Sequence, residues 1–164
     1  WEATRGYDDI GALRQLPVSV QTAAFRFVHA DIVAAVDFLR QQDHEDQEFW
    51  RQLMGELREE VYVAGTWVFH EGRPANRIYI VKQGQVQLVQ ESSNYVFETM
   101  KRGGWFGETS HVAPKGRKSS AKAVEHTVLL EITQGGLARI ADAYPDVWNI
   151  VERTSDIRIR RNMG

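Results

Sequence analysis

The sequence predicts an α+β fold in three consecutive blocks: helices, a β-roll, and helices again. Three observations lead there. Apolar residues recur at helical spacing over roughly the first sixty positions. Short apolar runs punctuated by glycine then take over, and helical spacing returns after Gly135-Gly136. A chain of 164 residues suffices for one good core, or one domain with an appendage.

The N-terminal block opens with Leu16-Pro17, a helix-start signal, because a proline early in a helix forfeits an N–H that has no partner there anyway. Ala24, Phe25 and Val28 follow at helical spacing. Ile32, Val36 and Leu39 mark a second helix, for which Asp31 is the expected cap. Trp50, Leu53 and Leu57 mark a third, after the acidic loop Asp43-His44-Glu45-Asp46.

Near Val61 the period changes. Val61 and Val63, Trp67 and Phe69, Ile78 to Val81, and Val86 and Leu88 form short runs separated by Gly65, Gly72 and Gly84. Tyr95 to Met100 and Val128, Leu130 and Ile132 add further strands, a spacing that argues for a barrel or jelly roll. After the glycine pair, Leu137, Ile140 and Ala141 share one helical face. Tyr144-Pro145 opens a last helix whose stripe is Val147, Val151, Thr154 and Arg158.

Bulk properties exclude several classes. A net charge of −2 supplies no general attraction to nucleic acid or acidic lipid. The absence of cysteine removes disulfide frameworks and thiolate metal sites. No apolar run approaches the roughly 20 residues that span a bilayer. The five histidines, His29, His44, His70, His111 and His126, are scattered without ligand spacing, and neither a P-loop nor a nucleophile elbow is present, so the residues offer no support for an enzyme. The first residue is Trp1 rather than methionine, and the expectation is a piece of a larger protein whose remainder includes membrane spans.

The stretch 103–123, GGWFGETSHVAPKGRKSSAKA, carries the chemistry. Gly107 lets backbone approach a ligand without a Cβ in the way, and the amides after it can face an anion. Arg117 offers a forked cation for phosphate oxygens. Glu108 offers a carboxylate that accepts from a sugar hydroxyl.

This stretch resembles the phosphate-binding cassette of cyclic-nucleotide-binding domains. The resemblance extends over about residues 58–160 through Gly65, Glu71-Gly72, Ile78-Tyr79-Ile80-Val81, Gly84, Gly103, Phe106-Gly107-Glu108, Arg117 and Tyr144-Pro145. It implies an eight-stranded roll followed by two helices. Ahead of it, Trp1, Tyr7-Asp8-Asp9, Leu13, Leu16-Pro17 and Val36-Asp37-Phe38-Leu39 are similar to the later half of the C-linker of cyclic-nucleotide-gated, hyperpolarisation-activated and ether-à-go-go-type cation channels. The expected division is a linker-like helical segment over 1–42 and a binding domain over 43–164.

The resemblance assigns ligand roles by position. Glu108 holds the ribose 2′-hydroxyl and Arg117 the cyclic phosphate. Phe106 and Gly107 shape the cassette turn, and Gly107, Thr109 and Ser110 supply donors. Ser119 and Ser120 stand where small or hydroxyl residues face phosphate or base, Ser120 matching better. Leu88 matches an apolar contact beneath the purine, which core packing explains equally well. Arg158 matches a purine contact of the last helix, and a solvated helix arginine is the other reading. Two departures stand out: His111 replaces a leucine, and Lys118 replaces the threonine that bonds guanine in cGMP-selective channels, which tilts the expectation from cGMP toward cAMP.

The function implied is a ligand-binding regulatory domain of a potassium-type cation channel. It lies on the cytoplasmic side of the membrane, has its own transmembrane domain as partner, and is homotetrameric in the intact protein. It has no nucleic-acid polymer as partner and no cofactor beyond the ligand. The competing implications are a structural homologue that has lost the ligand and the regulatory domain of an ion exchanger. A catabolite-activator-type transcription factor needs a helix-turn-helix after the last helix, and none lies within the sequence.

Overall fold

The computed structural model describes residues 9–74, 76–108 and 116–163. Five helices come first: α1 (Asp9–Arg14), α2 (Val18–Val28), α3 (Ala30–Ala35), α4 (Asp37–Arg40) and α5 (Gln47–Glu56). Eight strands follow among the described residues: β1 (Arg58–Tyr62), β2 (Trp67–Phe69), β3 (Arg77–Gln83), β4 (Val86–Gln90), β5 (Tyr95–Met100), β6 (Trp105–Phe106), β7 (Ser120–Ala123) and β8 (Thr127–Thr133). Two helices, α6 (Gln134–Ala143) and α7 (Pro145–Met163), end the chain. The expected order of helices, roll and helices is the one observed. No helix among the described residues is long and apolar enough to cross a membrane.

The strands form two antiparallel four-stranded sheets, ordered β1-β8-β3-β6 and β2-β7-β4-β5. β3 and β8 are the buried centre of the first, from Arg77↔Thr133 to Gln83↔Val128. The near-continuous apolar runs Ile78–Val81 and Val128–Ile132 suit strands covered on both faces. Between the sheets lies a core of Tyr79, Val81, Val86, Met100, Phe106, Ala121 and Leu129. A second, larger core joins the outer face of the first sheet to the helices, through Ile78, Ile80, Leu130 and Ile132 on one side and Phe25, Phe38 and Trp50 on the other.

The helices depart from the sequence pattern in one respect. The single helix expected over Ile32, Val36 and Leu39 is broken in two, because Val36 is extended at φ −88° and ψ 113°. β-branched valine tolerates that conformation readily. The break lets Val36, Phe38 and Leu39 all turn inward, where each is at most 1% exposed. Asp31 does not cap this region. His29 occupies the N-cap position without a side-chain bond, and Asp31 is held by the fork of Arg102. The acidic loop before α5 has a defined role, since the Asp46 carboxylate accepts from the Phe49 amide at 3.1 Å and closes the helix start. Gly135-Gly136 does not simply break the last strand. It forms the first turn of α6, with Thr133 accepting from the Gly136 amide at 3.0 Å. Strands β6 and β7, two and four residues long inside the cassette region, have no apolar run of their own and complete the eight strands that the resemblance implies.

Trp50 anchors the helical layer. It is fully buried, stands edge-on to Phe49 at 5.0 Å, and its indole N–H donates to the Asp43 carbonyl at 3.1 Å. Trp50→Ala removes that anchor, and we expect a loss of about 3–5 kcal/mol of stability in urea unfolding. A change under about 1 kcal/mol would mean that the helical layer does not share the cooperative core.

Candidate functional site

The site is assembled where β6 turns into the cassette. β6 pairs with β3 through Tyr79↔Phe106 and Ile80↔Trp105, which brings the chain to the mouth of the roll. Gly107 then takes φ +93°, and a Cβ there would lie 2.8 Å from the Arg117 Nη1 atom and 3.0 Å from the Arg77 carbonyl oxygen. Only glycine fits both the left-handed backbone and the contact.

Arg117 enters from the other side of the cassette, held by its backbone. Its N–H donates to the Arg73 carbonyl at 2.9 Å, and its carbonyl accepts from the Gly72 amide at 2.8 Å. Its guanidinium is buried over the ring of Phe69, 4.0 Å from the ring centre, with Tyr79 at 5.6 Å. Nη1 donates to the Gly107 carbonyl at 2.8 Å and Nη2 to the Arg77 carbonyl at 3.0 Å. Among the described residues it has no carboxylate partner, and its Nε has no partner at all. Burial pushes its pKa downward, the signature of a desolvated cation.

Glu108 is 1% exposed. Its Oε1 accepts from Arg158 Nη1 of α7 at 2.5 Å, while its Oε2 is buried without a partner among the described residues. Burial raises its pKa, opposed by the charge and hydrogen bond of Arg158. Arg158 also lies over the indole of Trp105 at 5.0 Å, so β6 supports the arginine that the next turn binds. Of the residues singled out from the sequence, Phe106, Gly107, Glu108, Arg117 and Arg158 are thus brought together.

The others are placed as follows. Leu88 is half-buried on β4 against the inter-sheet core. Lys118 is exposed and Ser119 half-buried. The Ser120 hydroxyl accepts from the Glu71 amide at 2.8 Å and donates to the Glu91 carboxylate, so it ties two turns of the roll together. Thr109, Ser110 and His111 lie outside the described residues, as do Trp1 and Tyr7-Asp8.

Sequence reasoning missed a second charged pair at the same mouth. Glu98 lies on β5 directly opposite Leu88, and its carboxylate accepts from Arg161 Nη2 at 3.0 Å. Arg158 and Arg161 are one helical step apart, so two carboxylates of the roll hold one face of α7. The available signal was parity: Glu98 shares the inward alternation of buried Met100, an uncommon place for a charge. The rings of Phe69 and Tyr79 that carry Arg117 were likewise read only as strand residues.

Comparison with known proteins identifies the family. Residues 59–144 match the family model of the cyclic nucleotide-binding domain. The cyclic nucleotide-gated channel beta-3 of Canis lupus familiaris is 29% identical, over 98% of this chain and 21% of its own length. The cyclic nucleotide-gated cation channel of Ictalurus punctatus is 25% identical, over 93% of this chain and 23% of its own. This chain therefore spans about a fifth of the length of these curated relatives. A solved structure described as cAMP bound PfPKA-R superposes with a TM-score of 0.65 at 19% identity, covering 85% of this chain and 48% of that one, which establishes a shared fold.

The burial of Glu108 has a pH consequence. Its folded-state pKa lies above the ordinary 4.5, so the folded protein keeps a proton that the unfolded chain has released. Stability from this group is present at acid pH and is lost as pH rises from 4.5 through the folded value. Glu108→Gln keeps the shape and removes the titration. Thermal melts across acid to neutral pH should show the variant more stable than the parent at neutrality and without that part of the slope; identical slopes would refute the assignment.

Proposed function

Because this chain belongs to the cyclic nucleotide-binding domain family, we propose that it binds a purine nucleoside 3′,5′-cyclic phosphate, with cAMP favoured, and couples binding to the gate of a cation channel of potassium type. One observation carries the reading. Among the described residues, Glu108 Oε2 and Arg117 Nε are buried polar atoms without partners, and they belong to the two residues that the resemblance assigns to ribose and phosphate. Buried polar atoms are normally satisfied, so a ligand donating a hydroxyl to one and an anionic oxygen to the other supplies what the fold omits.

The mechanism follows from the geometry. The phosphate enters between Gly107 and Arg117 and provides the counter-anion that the guanidinium lacks. A charge-assisted bond of this kind contributes about 1.5–3 kcal/mol. The 2′-hydroxyl donates to Glu108 Oε2. The purine rests near Leu88 beneath α7, where Arg158 turns from the carboxylate toward the base. Lys118 offers no hydroxyl for a guanine edge, which supports cAMP over cGMP. Ligand entry therefore redistributes the two ion pairs that hold α7. A 100-fold difference in affinity between two arrangements of α7 supplies about 2.7 kcal/mol toward gating.

In this reading residues 1–42 are a linker segment and 43–164 the binding domain, carried on the cytoplasmic face of a membrane protein that assembles as a homotetramer. Contacts already join the two parts. Lys82 on β3 donates to Asp9 of α1 at 2.5 Å, and Arg102 holds Asp31 of α3 while donating to the Lys82 carbonyl at 2.6 Å. A second reading, a structural homologue that binds no nucleotide, is favoured by the Arg158–Glu108 contact, which already satisfies half of the carboxylate.

Isothermal titration of the chain with cAMP and cGMP separates these readings. We expect micromolar binding, abolished or weakened at least about tenfold by Arg117→Ala, measured below the temperature at which that variant begins to melt. Glu108→Ala should weaken cAMP but leave the affinity for 2′-deoxy-cAMP nearly unchanged. Absence of heat and of thermal stabilisation at millimolar nucleotide would establish the second reading.

A further inference from the structure

We infer that Asp9, His29 and Glu59 form a site for one divalent transition-metal ion of the zinc or nickel type, in exchange with the ammonium of Lys82. The histidines show no ligand spacing along the chain, but folding brings His29, at the α2–α3 junction, against α1 and β1. A ring nitrogen of His29 and carboxylate oxygens of Asp9 and Glu59 all lie within 4.8 Å of one another.

The imidazole is already in ligand form. His29 is 0% exposed. Its Nδ1 lies 3.1 Å from the Phe25 carbonyl oxygen, which only accepts, so Nδ1 carries the proton. Nε2 is therefore the nitrogen with a lone pair, and it is buried without a partner among the described residues. A ring whose N–H is fixed by a backbone carbonyl while the other nitrogen stays bare is the usual arrangement of a metal-ligating histidine. Burial lowers its pKa, opposed by the Phe25 hydrogen bond and, more weakly, by Asp9, and aided by the charges of Lys82 and Arg102.

The carboxylates are arranged around a cation. Lys82 Nζ donates to Asp9 Oδ2 and to Glu59 Oε1, each at 2.5 Å, and the Asp9 amide donates to Glu59 Oε2 at 3.2 Å. The ammonium satisfies two oxygens and leaves the imidazole lone pair unmet. One metal ion serves all three, since imidazole with carboxylates suits zinc and nickel, and three protein ligands leave a position for water. Ligand atoms around such an ion at about 2.1 Å stand about 3.4 Å apart, so the side chains close inward slightly on binding. The Lys82 side chain is 11% exposed and bonded to both carboxylates, so metal binding requires it to give up those two bonds and swing outward. Binding would clamp α1 and the α2–α3 junction to β1, independently of any nucleotide.

The test is calorimetric titration of the chain with zinc chloride and with nickel chloride, paired with thermal melts. We expect about one ion per chain and a raised melting temperature. His29→Gln should weaken this at least about tenfold, and Asp9→Asn, at the more exposed edge, should do the same while leaving the melting temperature without metal near that of the parent. Lys82→Met removes the competing ammonium and should bind more tightly, with metal restoring the stability that the substitution loses. Equal binding in the parent and both ligand variants would place the metal elsewhere and overturn the site. Absence of binding in both the parent and Lys82→Met would overturn it as well.

Discussion

Taking a guanidinium out of water is expensive, several kcal/mol even after relaxation, and at Arg117 the protein bears that penalty with two carbonyls and two aromatic faces instead of a carboxylate. Much of the roll is arranged around this choice. Phe69 and Tyr79 come from different sheets and meet over the cation. Gly107 must lack a side chain because its φ is +93° and a Cβ would press on the Arg77 carbonyl and on Nη1. The turn from Gly72 to Arg73 accepts and donates to the Arg117 backbone, so the arginine is delivered by main-chain bonds rather than by its own flexible stem. A carboxylate in this pocket would pair with the guanidinium and compete with any anion for it.

Glu108 presents the converse problem. It is an acid in a site too dry for it, and among the described residues the cation bonded to it comes from a helix that is also held at this mouth by Arg161 and the Trp105 ring. Electrostatic interactions gain strength in such surroundings, so the position of α7 and the ionisation of Glu108 are linked. Helix docking favours the charged carboxylate, and withdrawal favours the protonated one. Glu98 adds to this by raising the pKa of Glu108 through its own charge, so neutralising Glu98 with Arg161 also assists Glu108.

The block order and most strands were legible in the sequence, for reasons that are local. Glycine at 84 and 107 marks backbone that side chains cannot adopt, and alternation marks strands. What escaped was non-local. Val36 looks helical by spacing, and only the demand to bury three neighbours at once breaks the helix there. β6 and β7 are too short to show a period. Ser120 carries a hydroxyl suited to phosphate, yet its partners Glu71 and Glu91 reach it only through sheet pairing. Arg161 and Glu98 read as solvated charges until the last helix is laid across β5.

Two routes lead from the site to the N-terminal helices, and their stiffness differs. β3 runs from the Arg77 carbonyl and the Tyr79 ring, which hold Arg117, to Lys82, which holds Asp9. It is hydrogen-bonded on both sides by β6 and β8 and has no alternative partner. The second route passes through side chains. Trp105 lies between Arg158 of α7 and Phe38 of α4, whose ring it meets edge-on at 5.0 Å. An element transmits a signal only if it has two arrangements of similar energy. β3, paired along both edges, is the stiffer of the two. α7 is held at the mouth by two ion pairs and a ring face, and under the proposed function these are the interactions that a ligand between Glu108 and Arg117 would compete for. Movement of α7 must then be felt first at Trp105 and Phe38, against a roll that β3 keeps fixed to α1.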